Sequence, residues 1–157
     1  MKCWSHKTVR LLFDVNLRMN ASGNRFKNMK TIGVKNELGK VNLAEKFELI
    51  FEHWRPKVVG ELNGQEVKLV KFKGEFPWHH HETEDEMFMA VKGSFRIEFR
   101  DKTVELRTGE FIIVPCGVEH RPVADAEVEV LLFEPKNVLN TGNIEDEKYT
   151  APVGDKI

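Results

Sequence analysis

The residues best suited to chemistry stand in one run, Trp78-His79-His80-His81-Glu82-Thr83-Glu84-Asp85-Glu86. On a β-strand, His79 and His81 project from the same face about 7 Å apart, whereas on a helix an i, i+2 pair splays apart. His80 then points the opposite way, together with Trp78. After the acidic turn, Glu86 opens the next extended segment and can bring a carboxylate beside the two imidazoles. A distant His120 follows the turn Pro115-Cys116-Gly117 and returns toward the same place. Three neutral imidazoles and one carboxylate leave a divalent ion with about one unit of positive charge and, if six-coordinate, two open positions. Iron, manganese, nickel and zinc all accept this donor set, and spacing does not choose among them.

The surrounding glycines and proline carry a resemblance. Gly74, His79, His81, Glu86 and Gly93 form G-x4-H-x-H-x4-E-x6-G, and Gly109, Pro115, Gly117 and His120 form G-x5-P-x-G-x2-H, with 15 residues between Gly93 and Gly109. These runs resemble the two motifs of the cupin superfamily, each spacer of the first being one residue off the usual form. Ala124 replaces the asparagine that closes the second motif, a position with no ligand role in the family. The stretches LVKFKGEFPWHHHETEDE, GEFIIVPCGVEHRPVA and LLFEPKNVLNTGN are similar to small bacterial single-domain cupins. The resemblance implies an all-β jelly-roll antiparallel barrel, preceded by one short N-terminal helix, that holds one divalent transition metal on His79, His81, Glu86 and His120.

The elements that must position these residues are legible from periodicity. Asn42 followed by Glu45 resembles a capping box, and Leu43, Phe47, Ile50, Phe51 and Trp54 fall on one helical face, predicting a helix over 43–54 that stops before Pro56. His53 is read as a cation near that helix end. Beyond Pro56 the period becomes two. Asn63-Gly64 marks a hairpin between 57–62 and 65–72. Further strands are expected at 86–91, 94–100, 102–106, 110–114, 120–123 and 127–134, so that 57–134 is the barrel, 29–56 an entry segment and 135–157 a C-terminal arm. Met87-Phe88-Met89-Ala90-Val91 is apolar on both faces, and its outer face needs cover from the helix, the arm or a second copy. Phe88 shares a face with Glu86 and is a pocket candidate. Glu82, Glu84 and Asp85 read as a solvated turn, and Cys116 as a turn residue.

Composition bounds the rest. The 157 residues are 41% hydrophobic and 31% charged, enough for one core, and 24 Lys+Arg against 25 Asp+Glu give a formal net charge of −1. That balance excludes a general attraction for nucleic acid or an anionic membrane surface. Residues 1–28 are basic and read as an extension outside the domain, either an upstream stretch before a start at Met29 or a mobile tail. Cys3 and Cys116 make neither a disulfide framework nor a CxxC pair, and no run is long enough for a membrane span, so a cytoplasmic protein is expected. The function expected is a mononuclear metal site that binds or acts on a small oxygen-rich molecule, as a dioxygenase or an isomerase or lyase. The alternative is a non-catalytic module that holds a ligand or metal. A homodimer is the expected assembly, and the catalytic residues beyond the ligands are not assigned.

Overall fold

The structure is a computed structural model and describes residues 39–157. The expectation for residues 1–28 lies outside the described residues. The elements run α1 (Leu43–Phe47), β1 (Lys57–Leu62), β2 (Gln65–Glu75), β3 (Glu86–Lys92), β4 (Ser94–Phe99), β5 (Thr103–Arg107), β6 (Phe111–Val114) and β7 (His120–Pro135). All strand pairings are antiparallel, in the order β1-β2-β7-β3-β6, with β4 joining β7 and β5 joining β4.

Strand β7 organises the molecule. One of its edges follows β2 from Gln65↔Pro135 to Glu75↔Val123, while the other serves β3 near Leu131–Phe133 and β4 at His120–Val123. The two strands expected at 120–123 and 127–134 are therefore one strand of sixteen residues. The exposed residues Asp125, Ala126 and Glu127 between them stay within the extended chain as a bulge of β7, three residues standing opposite Lys73 alone between the pairs Phe72↔Val128 and Gly74↔Ala124. The hairpin between β1 and β2 is closed by Asn63 (φ 51°) and Gly64 (φ 84°), the positive pair that a two-residue turn of matching twist requires.

The inner face is built by alternation. Val70 and Phe72 from β2, Phe88 and Ala90 from β3, Phe95 and Ile97 from β4, and Val128, Val130 and Leu132 from β7 are all buried in one cluster. Trp54 closes its end, stacking on Phe72 with ring centroids 4.4 Å apart and donating its indole N–H to the Lys73 carbonyl at 3.0 Å.

Helix α1 is shorter than expected. Its start is as read: Asn42 accepts from the Ala44 and Glu45 amides, and its side-chain amide donates to Glu45 Oε1. The apolar stripe also holds as far as Leu43, Phe47 and Ile50, which pack on Leu69 from the barrel. The helix nevertheless ends at Phe47 rather than at 54, and Phe51 is 88% exposed. Trp54 is the cause. Its burial against Phe72 and Phe76 and its backbone bond to the Lys71 carbonyl need a positive φ of 62°, which no helix supplies, so tertiary packing overrides the local period. His53 consequently does not cap a helix end; its Nε2 lies 2.9 Å from Glu127 Oε2.

Cover for the outer face of β3 comes partly from within the chain. Val91 packs into the cluster of Phe47, Ile50 and Leu69. Met87 and Met89 stay half-buried, beside Ile113 and Phe111 of β6, which are 55% and 60% exposed.

Candidate metal centre

His79, His81, Glu86 and His120 converge inside the barrel. All four are buried, and one donor atom from each lies within 4.8 Å of every other. The ladder explains the convergence: His79 and His120 exchange backbone hydrogen bonds (3.0 and 2.9 Å), extending the β2·β7 pairing, and Glu86 opens β3 on the same inner face. His80 and Trp78 point outward. The His80 ring meets Glu82 Oε1 at 3.0 Å, and the Trp78 ring is covered by Arg100 (3.8 Å) and Arg121 (5.1 Å).

The hydrogen bonds orient the imidazoles. His79 Nδ1 lies 3.1 Å from the Pro77 carbonyl and His120 Nδ1 2.9 Å from the Val118 carbonyl, so each Nδ1–H donates outward and leaves Nε2 as an inward lone pair. His120 Nε2 is buried without a hydrogen-bond partner. An orphaned acceptor among two further imidazoles and a carboxylate is a costly arrangement alone, and one that a cation satisfies. The donor set thus fits a divalent transition metal.

The charges of His79 and Glu86 agree with that fit, while His81 is drawn toward protonation by its carboxylate neighbour. Burial, reinforced by neighbouring His120, pulls His79 down to about 3, so it is neutral at physiological pH, as a ligand must be. Burial works against ionisation of Glu86, but the His120 and His81 imidazoles outweigh it and hold the carboxyl down to about 2. For His81, burial opposes protonation, yet the bond from Nε2 to Glu86 Oε2 at 3.1 Å raises it.

The C-terminal residues brace the site from behind. His80 N–H donates to Asn143 Oδ1 (2.9 Å), Asn143 N–H donates to the His80 carbonyl (3.0 Å), and Gly117 N–H donates to the His81 carbonyl (2.7 Å). Gly142 is the point of closest approach, since a Cβ there would stand 2.2 Å from the His80 carbonyl oxygen. Asp85 of the acidic turn accepts from the Cys116 N–H at 2.9 Å, tying the two motif turns together.

A chamber opens beside His79 and Glu86. Its walls are Trp54, Val70, Phe72, Phe76, Phe88 and Leu132, with Asn140 as a polar member. Phe88, the expected pocket residue, lines it. Trp54 and Asn140 were not expected there, because the helix over 43–54 would have turned Trp54 to another surface and nothing local marks Asn140. The unfilled space holds about one water-sized molecule.

Sequence reasoning also missed three buried charges at this end of the barrel, Glu66, Lys68 and Glu134. Burial and the facing charge of Glu86 push Glu134 up to about 8, against the pull of Lys68. The signal was present: Glu134 continues the inward series Val128, Val130, Leu132, as Glu66 and Lys68 precede Val70 and Phe72.

Comparison with known proteins matches this geometry. A family model described as a cupin domain covers residues 66–134. A crystal structure of a cupin-2 domain containing protein from Shewanella frigidimarina is 43% identical, with 61% of this chain and 94% of that one aligned at a TM-score of 0.60. A protein from Neisseria meningitidis is 31% identical, over 62% of this chain and all of that one, at a TM-score of 0.58. The uncharacterized protein YdbB of Bacillus subtilis is 39% identical over 64 residues, which span 40% of this chain and only 57% of that relative. With a cupin-2 relative of 43% identity matched along nearly its whole length, the chain belongs to the cupin superfamily as a cupin type 2 domain.

Proposed function

We propose that this cupin is a mononuclear metal protein whose ligands are His79, His81, Glu86 and His120, and that it binds or transforms a small oxygen-bearing molecule at the metal. The observation that carries this reading is His120 Nε2, buried, unpartnered and facing the other three donors. A divalent iron, manganese, nickel or zinc ion there supplies a Lewis acid with open positions, suited to dioxygenase chemistry with iron or to isomerase and lyase chemistry with the others. The chain's own part is to fix the tautomers through the Pro77 and Val118 carbonyls and to exclude bulk water with the aromatic wall.

The small unfilled space beside His79 and Glu86 favours ligands of few atoms. Thermal-shift titration of the zinc-loaded chain with formate, acetate and benzoate, which share one carboxylate donor, tests this. Affinity should fall as the ligand grows, and all shifts should vanish with chelator; tightest binding of benzoate would refute the size argument. A second reading, a non-catalytic module, draws support from the chamber wall, whose only titratable groups among the described residues are the ligands His79 and Glu86.

We further propose a homodimer formed through the outer face of β3 and β6, where Met87, Met89, Phe111 and Ile113 leave an apolar surface beside an edge strand. Sizing by light scattering should give twice the chain mass, and Phe111→Lys should give the monomer; a wild-type monomer refutes it. Cys116 is exposed and has no disulfide partner among the described residues, in keeping with a reducing, cytoplasmic setting, and no helix among the described residues is long and apolar enough to cross a membrane.

A further inference from the structure

The three buried charges behind the metal ligands play no part in the function proposed above. Glu66, Lys68 and Glu134 are 3%, 4% and 1% exposed. Lys68 Nζ lies 2.9 Å from Glu134 Oε1 and 3.2 Å from Glu66 Oε2, while Glu134 Oε2 is buried with no hydrogen-bond partner.

The strand register aligns this group with the metal site. Glu66 pairs with Glu134 across β2·β7. Across β3·β7, Phe88 pairs with Leu132 and Met87 with Phe133, so the next step along the ladder sets Glu86 opposite Glu134. All three glutamates are buried on the inner face, forming a row across three adjacent strands, with neighbouring Cβ atoms about 5 Å apart.

Like charges directly opposite one another in a sheet are destabilising, and a low-dielectric interior makes them more so. With all three carboxylates ionised, one lysine leaves two negative charges uncompensated, so in the metal-free chain the row keeps a proton on Glu134 at neutral pH. A divalent ion on Glu86 and the histidines brings this buried set to zero. Lys68 is shared between the two carboxylates, and each keeps a buried oxygen without a hydrogen-bond partner, Glu66 Oε2 and Glu134 Oε2, so the ion pair alone leaves this group unsatisfied.

We propose that Glu134, backed by Lys68 and Glu66, is a positioning residue of the metal centre: its carboxylate, ionised when a dication sits on the four ligands, stands beside Glu86 and helps hold the ion there. Lys68 sets how much of that charge is left for the metal. The inference rests on the metal reading, and the experiment separates the two.

Dissociation constants of Zn2+ and Mn2+ are measured by competition with a chromophoric chelator for the wild type and for Glu134→Gln, Glu66→Gln and the double variant Lys68→Met with Glu134→Gln. Loss of the Glu134 charge should weaken both ions by about tenfold or more. The two losses should be equal, because a point charge acts on any dication alike, whereas displaced ligands would penalise the two ions unequally. Glu66, one strand farther away, should cost less, about threefold. The double variant restores the surplus charge and should recover affinity relative to Glu134→Gln. Unchanged constants in folded Glu134→Gln, or losses that differ between zinc and manganese, would overturn the role. If Glu134→Gln does not fold, Glu66→Gln decides it, no change being the refuting result. A wild type that binds neither ion refutes the metal reading itself.

Discussion

His79 and His80 are adjacent and chemically identical, yet the site assigns them opposite consequences. His79 is buried, with Nε2 directed at the other ligands, whereas His80 lies on the outer face against Glu82. Four ligands in structural zinc sites share roughly 10–16 kcal/mol of apparent binding free energy, so removing one should cost about 3 kcal/mol, on the order of 100-fold in Kd. The His80–Glu82 contact is a surface pair with side chains 28% and 76% exposed, worth about 0–1 kcal/mol of stability and nothing in metal affinity. The backbone bonds that brace this segment run through the His80 amide and carbonyl and survive His80→Ala. Competition titrations of His79→Ala and His80→Ala, with circular dichroism to confirm folding, compare the two. Equal losses would refute the assigned strand register, and full affinity in His79→Ala would remove it from the ligand set.

Other consequences can be read from single residues. Trp54→Ala deletes a side chain stacked on Phe72 and bonded to the Lys73 carbonyl, and should destabilise the fold by about 3–5 kcal/mol in chemical denaturation; a loss below about 1 kcal/mol would mean that the barrel end closes without it. Gly142→Ala must push back the His80 carbonyl and with it the ligand segment, so metal affinity should drop while the variant remains folded; wild-type affinity would show that the segment yields at no cost to the site. In the metal-free chain, a Glu134 carboxyl raised from 4.5 to about 8 keeps a proton that the unfolded chain has lost, so stability falls as pH rises through that interval. His79, lowered from 6.5 to about 3, acts in the opposite sense but only below 6.5. Between pH 6.5 and 8 Glu134 alone should contribute a decline of about 2 kcal/mol in urea denaturation with chelator present, to which the raised His81 adds in the same sense, and Glu134→Gln should lessen the slope; an undiminished slope in that variant would place its origin elsewhere.

Much of the site is legible in the sequence because its determinants are local. The alternation of His79 and His81, the acidic turn and the opening position of Glu86 require only the period of a strand, and His120 follows a turn fixed by Pro115 and Gly117. The hairpin at Asn63-Gly64 and the cap at Asn42 are likewise short-range signals. What was not legible depends on partners far along the chain. Trp54 leaves the helical period because Phe72 and Phe76 bury it, and the helix stops at Phe47 in consequence. Asn140 reaches the chamber through bonds to the Trp54 and Tyr149 carbonyls, more than eighty residues apart in one case. Glu66, Lys68 and Glu134 look like ordinary surface charges until the register places them inward, where the apolar residues that follow or precede them had already marked the face.

The central claim is that His79, His81, Glu86 and His120 hold a metal ion. Elemental mass spectrometry of untagged chain, purified without chelator and without a nickel column, tests it most directly. The account predicts about one divalent transition-metal ion per chain, lost in His120→Ala. A wild-type chain that carries none, and takes up none when iron, manganese, nickel or zinc is supplied, would contradict it.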